Sequence, residues 1–309
     1  VLKQRWITAA ALVPAAIVVV QLPTWLFASA IAGVVLLASK EWLQLRPIGE
    51  DVIRRNVLLA AAGLFVLYWF AHVDTVVVVS MLIAAGSWFM RALRLVNAPR
   101  SPESEAQTRE DAGADNQASA DSQAKAYNQA KVYAESNAQV LASAALNGRQ
   151  HLLKGAALLA FPFLALVALH ADANFGPPYV LYLLSLIWVA DSAAFFGGRR
   201  WGAHRLAPEI SPGKTWEGVF VALGAAAVWA VAGAAWLDLR GAAIFYFFVL
   251  SIVVVAFSIV GDLNESLEKR AAHVKDSGHL LPGHGGVLDR IDSTTAAAPI
   301  FTLGVWWMG

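Results

Sequence analysis

The sequence predicts an all-α polytopic membrane protein of about nine transmembrane helices, with a cytoplasmic N-terminus and a polar cytoplasmic insertion. Three observations lead there. The chain of 309 residues is 58% hydrophobic and 15% charged, more apolar surface than a water-soluble domain of this length hides. Its apolar residues fall into runs long enough to cross a bilayer core, which takes about 20 residues per helix. Its lysines and arginines collect on one side of those runs, as orientation in a membrane requires.

Taken in order, the candidate spans are approximately residues 6–21, 23–39, 56–71, 74–91, 152–170, 178–197, 215–236, 241–261 and 293–309. The first, preceded by Lys3 and Arg5, has the look of a secretion signal. No small-residue cleavage site follows it cleanly and Trp25 opens another apolar run at once, so a retained helix is expected. Several of the twelve tryptophans lie near segment ends, where interfacial aromatic belts form. With the N-terminus in the cytoplasm, every one of the 23 basic residues except Arg240 falls on the cytoplasmic side. Three regions follow: helices 1–4 over residues 1–96, an insertion over 97–150, and helices 5–9 with their polar loops over 151–309.

The insertion begins with Glu103, Glu105, Glu110, Asp111, Asp115 and Asp121 among few large apolar residues, a composition that stays disordered. Its alanine- and glutamine-rich continuation favours a polar helix without an apolar stripe. No chemistry stands out in it. A net charge of +1 leaves no nucleic-acid footprint, and zero cysteines exclude disulfides, thiolate nucleophiles and cysteine-ligated metals.

The informative stretch is Gly261–Ser293. Asp262, Glu265 or Ser266, Lys269, His273 and Asp276 recur at helical spacing and would share one face. Gly278, Pro282, Gly283, Gly285 and Gly286 then break the helix and let backbone amides approach a ligand. Asp289 and Asp292 follow at i and i+3. Carboxylates, cations and a glycine turn suit a divalent cation with a phosphate chain, because Mg²⁺ is usually held by one or two carboxylates plus substrate phosphates. The three histidines 273, 279 and 284 do not form a zinc-ligand pattern. A second polar stretch holds Gly213-Lys214-Thr215, but position 208, where a P-loop needs glycine, is Pro208. There the expectation is a helix starting near Pro212, capped by Ser211, with Lys214 at an anion-binding terminus. Asp191 is an ionisable group inside an apolar run, which marks it as a functional candidate.

Two ordered motifs carry a family resemblance. One is Ser266-x-x-Lys269-Arg270, then Lys275-Asp276-x-Gly278, then Pro282-Gly283-His284-Gly285-Gly286-x-x-Asp289-Arg290-x-Asp292. The other joins Asp191, Ala194, Gly197 and Gly202 to Ser211-Pro212-Gly213-Lys214-Thr215-Trp216-Glu217-Gly218. Together they resemble the signature of phosphatidate cytidylyltransferases, also called CDP-diglyceride synthases. The resemblance covers the C-terminal half closely, and the N-terminal half as a matching run of apolar segments; the insertion is longer than the family pattern.

The resemblance implies that CTP and phosphatidate give CDP-diacylglycerol and pyrophosphate at the cytoplasmic face of the cell inner membrane. It implies Mg²⁺ on Asp262 and Asp289 with Asp292 close by, a second cation being left open. Lys214, Arg270, Lys275, Asp276 and Arg290 are the expected catalytic residues. Ser211, Lys269, His284, Gly285, Gly286 and Asp191 are expected to bind substrate. The partners implied are CTP, phosphatidate and the bilayer, with no nucleic acid; a homodimer is left open. Two alternatives stay open at this point: a CTP-dependent polyprenol kinase, and a membrane transporter that uses Asp191 as a pathway residue.

Overall fold

In the computed structural model, residues 13–46, 50–70, 74–96, 148–280 and 285–308 are described. They form nine helices and one two-stranded sheet. Residues 13–20 are α1, followed by α2 (Thr24–Gln44), α3 (Glu50–Phe70), α4 (Asp74–Val96), α5 (Gly148–Ala171) and α6 (Gly176–Trp201). The strands β1 (Arg205–Ala207) and β2 (Ser211–Thr215) precede α7 (Trp216–Trp236), α8 (Ala242–Ala271) and α9 (Leu288–Met308). Seven of these helices, α2 to α8, are long and apolar enough to cross a membrane. The chain is a multi-pass membrane protein.

The chain divides into two units, residues 1–92 with 155–309, and residues 93–154. Of the second unit the described residues are the end of α4 and the first turns of α5. Most of the 97–150 insertion, and the first half of the 6–21 span, lie outside the described residues.

Local chemistry sets the ends of the helices that matter for the site. In α6, proline at the first turn costs no hydrogen bond, and Arg199 and Arg200 occupy its last turn, opposite the negative end of the helix dipole. The 30 residues of α8 rise about 45 Å, more than a hydrocarbon core of about 30 Å, so the polar turns from Asp262 to Lys269 reach beyond it. In α7 the Oγ1 of Thr215 accepts the backbone N–H of Gly218 at 3.2 Å, a regular N-cap.

That cap corrects the expectation of a helix from Pro212 with Ser211 as its cap. Residues 211–215 are an extended strand paired antiparallel with 205–207, in the register Arg205↔Thr215 and Ala207↔Ser211. The hairpin is held at its base, where the backbone N–H of Trp216 donates to the carbonyl of His204 at 2.9 Å. The Glu217 carboxylate accepts from the backbone N–H of His204 at 3.2 Å. Thr215 sits at φ −132° and ψ 153°, an extended conformation that a β-branched residue favours and that a helix interior would forbid.

Two further boundaries differ from expectation. The charged face of α8 stops at Ala271, and His273 lies at φ 56°, so His273 and Asp276 stand past the helix rather than on it. The ninth expected span is the helix α9, yet it is not among the seven apolar ones. Its first turn is charged and its middle, Ser293 and Thr295 to Ala298, is small and buried against other helices rather than facing lipid.

Close packing brings the polar ends together. A methyl added at Gly261 would stand 2.6 Å from the carbonyl oxygen of Asp292, so α8 and α9 touch backbone to backbone there. A methyl at Gly218 would stand 2.8 Å from the Ala194 carbonyl oxygen, which sets the same limit between α6 and α7. Deeper in the bundle, Tyr182 of α6, Phe247 of α8 and Phe301 of α9 form an aromatic cluster, and the Tyr182 hydroxyl hydrogen-bonds the Ser251 hydroxyl at 2.7 Å.

Candidate active site

The polar ends of α6, α8 and α9 and the β1–β2 hairpin enclose a cavity of about 710 Å³. That is within the range of small-molecule sites, about 300–1,000 Å³. Five carboxylates face it: Asp191, Asp262, Asp276, Asp289 and Asp292. Five cations face it too: Arg199, Arg205, Lys214, Lys269 and Arg290. The balance is near neutral, with both signs crowded into one space.

Much of that charge is already paired. The Lys214 Nζ, on β2, contacts Asp262 Oδ2 on α8 at 2.6 Å. The Lys269 Nζ donates to Glu265 Oε2 at 2.8 Å, one turn back on α8, and to Asp289 Oδ1 on α9 at 2.6 Å. Asp289 Oδ2 also accepts the backbone N–H groups of Gly286 at 2.7 Å and Ser277 at 3.0 Å. Gly285, at φ 79°, lies beside it where a Cβ would stand 2.6 Å from the same oxygen; both its backbone conformation and the space require glycine. Asp191 accepts from the Ser293 hydroxyl at 3.5 Å and lies in the electrostatic field of Asp262, Lys214 and Arg290. Asp292 feels Asp262, Glu265 and Asp191, and its Oδ1 accepts the backbone N–H of Ser293 at 2.7 Å.

The cavity thus gathers Asp191, Lys214, Asp262, Lys269, Asp276, Asp289, Arg290 and Asp292 of the expected set. Gly285 and Gly286 lie against Asp289 but do not line the cavity. Arg270 turns away and donates to the backbone carbonyls of Ile210 at 3.2 Å and Val274 at 3.3 Å. Lys275 is exposed and Ser211 begins β2; neither lines the cavity. His284 lies outside the described residues.

Sequence reasoning did not select Arg199, Arg205, Ser277 or Glu41, and it placed Glu265 on the right face without giving it a role. Arg199 and Arg205 line the cavity. Ser277 and Glu41 support Asp289 and the start of α9. For Glu41 a signal exists: it is a carboxylate two residues past the 23–39 apolar run, open to the same argument that selected Asp191.

The donor set suits a divalent cation in one particular way. Among the described residues no three or more His, Asp or Glu side chains have the arrangement of a metal-ligand group. The described residues therefore form no all-protein cage of the calcium or zinc kind. One or two carboxylates completed by ligand phosphates, the usual Mg²⁺ arrangement, fits the oxygen-rich lining.

Fold and site define a polytopic membrane enzyme whose candidate site lies at the ends of its helices. Comparison with known proteins agrees. The family model described as "Cytidylyltransferase family" matches residues 3–307. The phosphatidate cytidylyltransferase of Haemophilus influenzae is 34% identical over 97% of this chain and 97% of its own length. That of Pseudomonas aeruginosa is 44% identical over 42% of this chain and 48% of its own, and that of Brucella suis 42% identical over 54% and 61%. The chain belongs to the cytidylyltransferase family.

Proposed function

We propose that this protein transfers the cytidylyl group of CTP to phosphatidate, forming CDP-diacylglycerol and pyrophosphate at the cytoplasmic face of the cell inner membrane. The observation that carries the reading is the cavity itself: ten charged groups of both signs, at the ends of membrane helices, where a water-soluble nucleotide and a lipid head group can meet. The full-length similarity to a phosphatidate cytidylyltransferase supports the choice of substrates. The basic residues support the orientation, since in the nine-span reading of the sequence all but Arg240 fall on the side that bears the cavity motifs.

The chemistry asks little of a protein base. A phosphate monoester has its second pKa at about 6, so the attacking oxygen is largely ionised near neutral pH. A new bond forms from that oxygen to the α-phosphorus of CTP, the α–β bridging bond breaks, and pyrophosphate carries away the electron pair. Catalysis then rests on alignment and on stabilising phosphate charge. Lys214, Lys269, Arg199, Arg205 and Arg290 are the donors placed to meet phosphate oxygens. Asp262, Asp289 and Asp292 would hold Mg²⁺. When bound, that ion offsets the negative charge of the phosphates, which a nearly neutral cavity does not do unaided.

The reading is tested by incubating the purified protein with radiolabelled CTP and phosphatidate vesicles, with and without Mg²⁺. Label entering the lipid fraction in a Mg²⁺-dependent way supports it. Absence of lipid label, with the protein folded and in vesicles, contradicts it.

A further inference from the structure

We infer that Glu41 of α2, far from the cavity in sequence, is a positioning residue that holds the backbone which aims Asp289. The inference rests on the reading of the cavity as the site of cytidylyl transfer. Glu41 is only 6% exposed, and a buried carboxylate is costly unless its oxygens are hydrogen-bonded. They are. Its Oε1 accepts the backbone N–H of Val287 at 3.0 Å; its Oε2 accepts the backbone N–H of Leu288 at 2.8 Å and the hydroxyl of Ser277 at 3.2 Å.

Leu288 is the first residue of α9. Helix starts leave backbone N–H groups without partners, and a negative charge there is favoured by the helix dipole. Glu41 supplies that anion from another helix. Asp289 grips the same backbone, through the N–H groups of Ser277 and Gly286. Ser277 thus gives its hydroxyl to one carboxylate and its backbone N–H to the other. Two carboxylates hold residue 277 against residues 286–288, and one of them is the cavity carboxylate.

Space reinforces the contact. A methyl at Gly278 would stand 2.5 Å from Glu41 Oε1, and one at Gly286 would stand 2.5 Å from Glu41 Oε2, so any side chain there would displace the carboxylate. In the turn that closes α2, two residues past Gln44, Arg46 pairs with Glu268 of α8 at 3.1 Å. The helix is therefore fastened both to the start of α9 and to the end of the helix that carries Asp262 and Lys269. Every residue lining the cavity lies at or after Asp191, so α2 acts on the cavity through contacts such as these rather than by lining it.

Glu41→Gln keeps size and shape but replaces one acceptor with an amide that faces N–H donors. In the full-length protein in detergent we expect kcat for cytidylyl transfer to fall about 10–100-fold, the usual cost of losing a group that orients a reactive side chain. The KM for CTP should move by less than about threefold. Amide hydrogen exchange at Val287 and Leu288 should quicken, a readout independent of catalysis. Ser277→Ala, a smaller change, should lower kcat in the same direction.

A double-mutant cycle separates positioning from general weakening. If Glu41 acts through Asp289, the kcat loss caused by Glu41→Gln disappears in the residual activity of an Asp289→Asn background. Equal losses on both backgrounds overturn the inference, as does a kcat within about twofold of wild type for Glu41→Gln. Should Glu41→Gln not fold, Ser277→Ala decides: unchanged kcat with unchanged exchange at Val287 overturns it. Failure of the wild-type protein to transfer label would count against the proposed function. An active wild type with an equally active Glu41→Gln counts against Glu41 alone.

Discussion

Asp289 accepts from a lysine ammonium and two backbone amides, while its neighbour three residues on, Asp292, faces the same cavity beside Asp262 and Asp191. Asp289→Asn keeps the shape but removes the charge that Lys269 and the two amides are arranged around. Turnover should fall about a hundredfold or more, the scale seen when one charge-stabilising group leaves an active site, with membrane insertion and detergent extraction unchanged. An Asp289→Asn protein with near-normal label transfer would refute its role. Lys214→Met removes the ammonium that reaches Asp262 and faces the cavity. Its KM for CTP should rise by about tenfold, measured as label transfer against CTP concentration; an unchanged KM would place Lys214 outside nucleotide binding.

Among the elements, the crossing of α8 and α9 decides whether Asp262 and Asp292 share one space. Gly261→Ala puts a methyl 2.6 Å from a backbone carbonyl that cannot swing aside, so the helices must separate. Overpacking of this kind costs about 1–3 kcal/mol and should lower the thermal unfolding midpoint together with activity. A variant of unchanged midpoint would show that the two helices are not in backbone contact. These long helices were legible in the sequence because a bilayer imposes length and composition. The β1–β2 hairpin was not: Ser211, Pro212 and Gly213 suit a helix start as well as a turn, and the choice is made by Trp216 and Glu217 binding back to His204. Two of the three partners of Glu41 are backbone amides more than 240 residues away, which leave no residue pattern to read. Asp191, Lys214, Asp262, Asp289 and Asp292 were legible because charge at the end of an apolar run is rare and needs a reason.

At the scale of the molecule, the proposed cytoplasmic orientation of the cavity rests on the distribution of lysine and arginine. The absence of cysteine makes this directly testable, since single cysteines can be introduced without background. A cysteine replacing exposed Lys275 should react with an impermeant maleimide only from the cytoplasmic side, and one replacing Arg240 only from the opposite side. The reverse pattern would invert the orientation. The central claim is that this cavity joins the α-phosphate of CTP to the phosphate of a lipid. It is tested most directly by position-labelled CTP supplied with phosphatidate vesicles. We predict that label at the α-phosphorus enters the lipid while label at the γ-phosphorus leaves as pyrophosphate. Label from the γ-position appearing in the lipid, with CDP released, would mean a kinase and contradict the account.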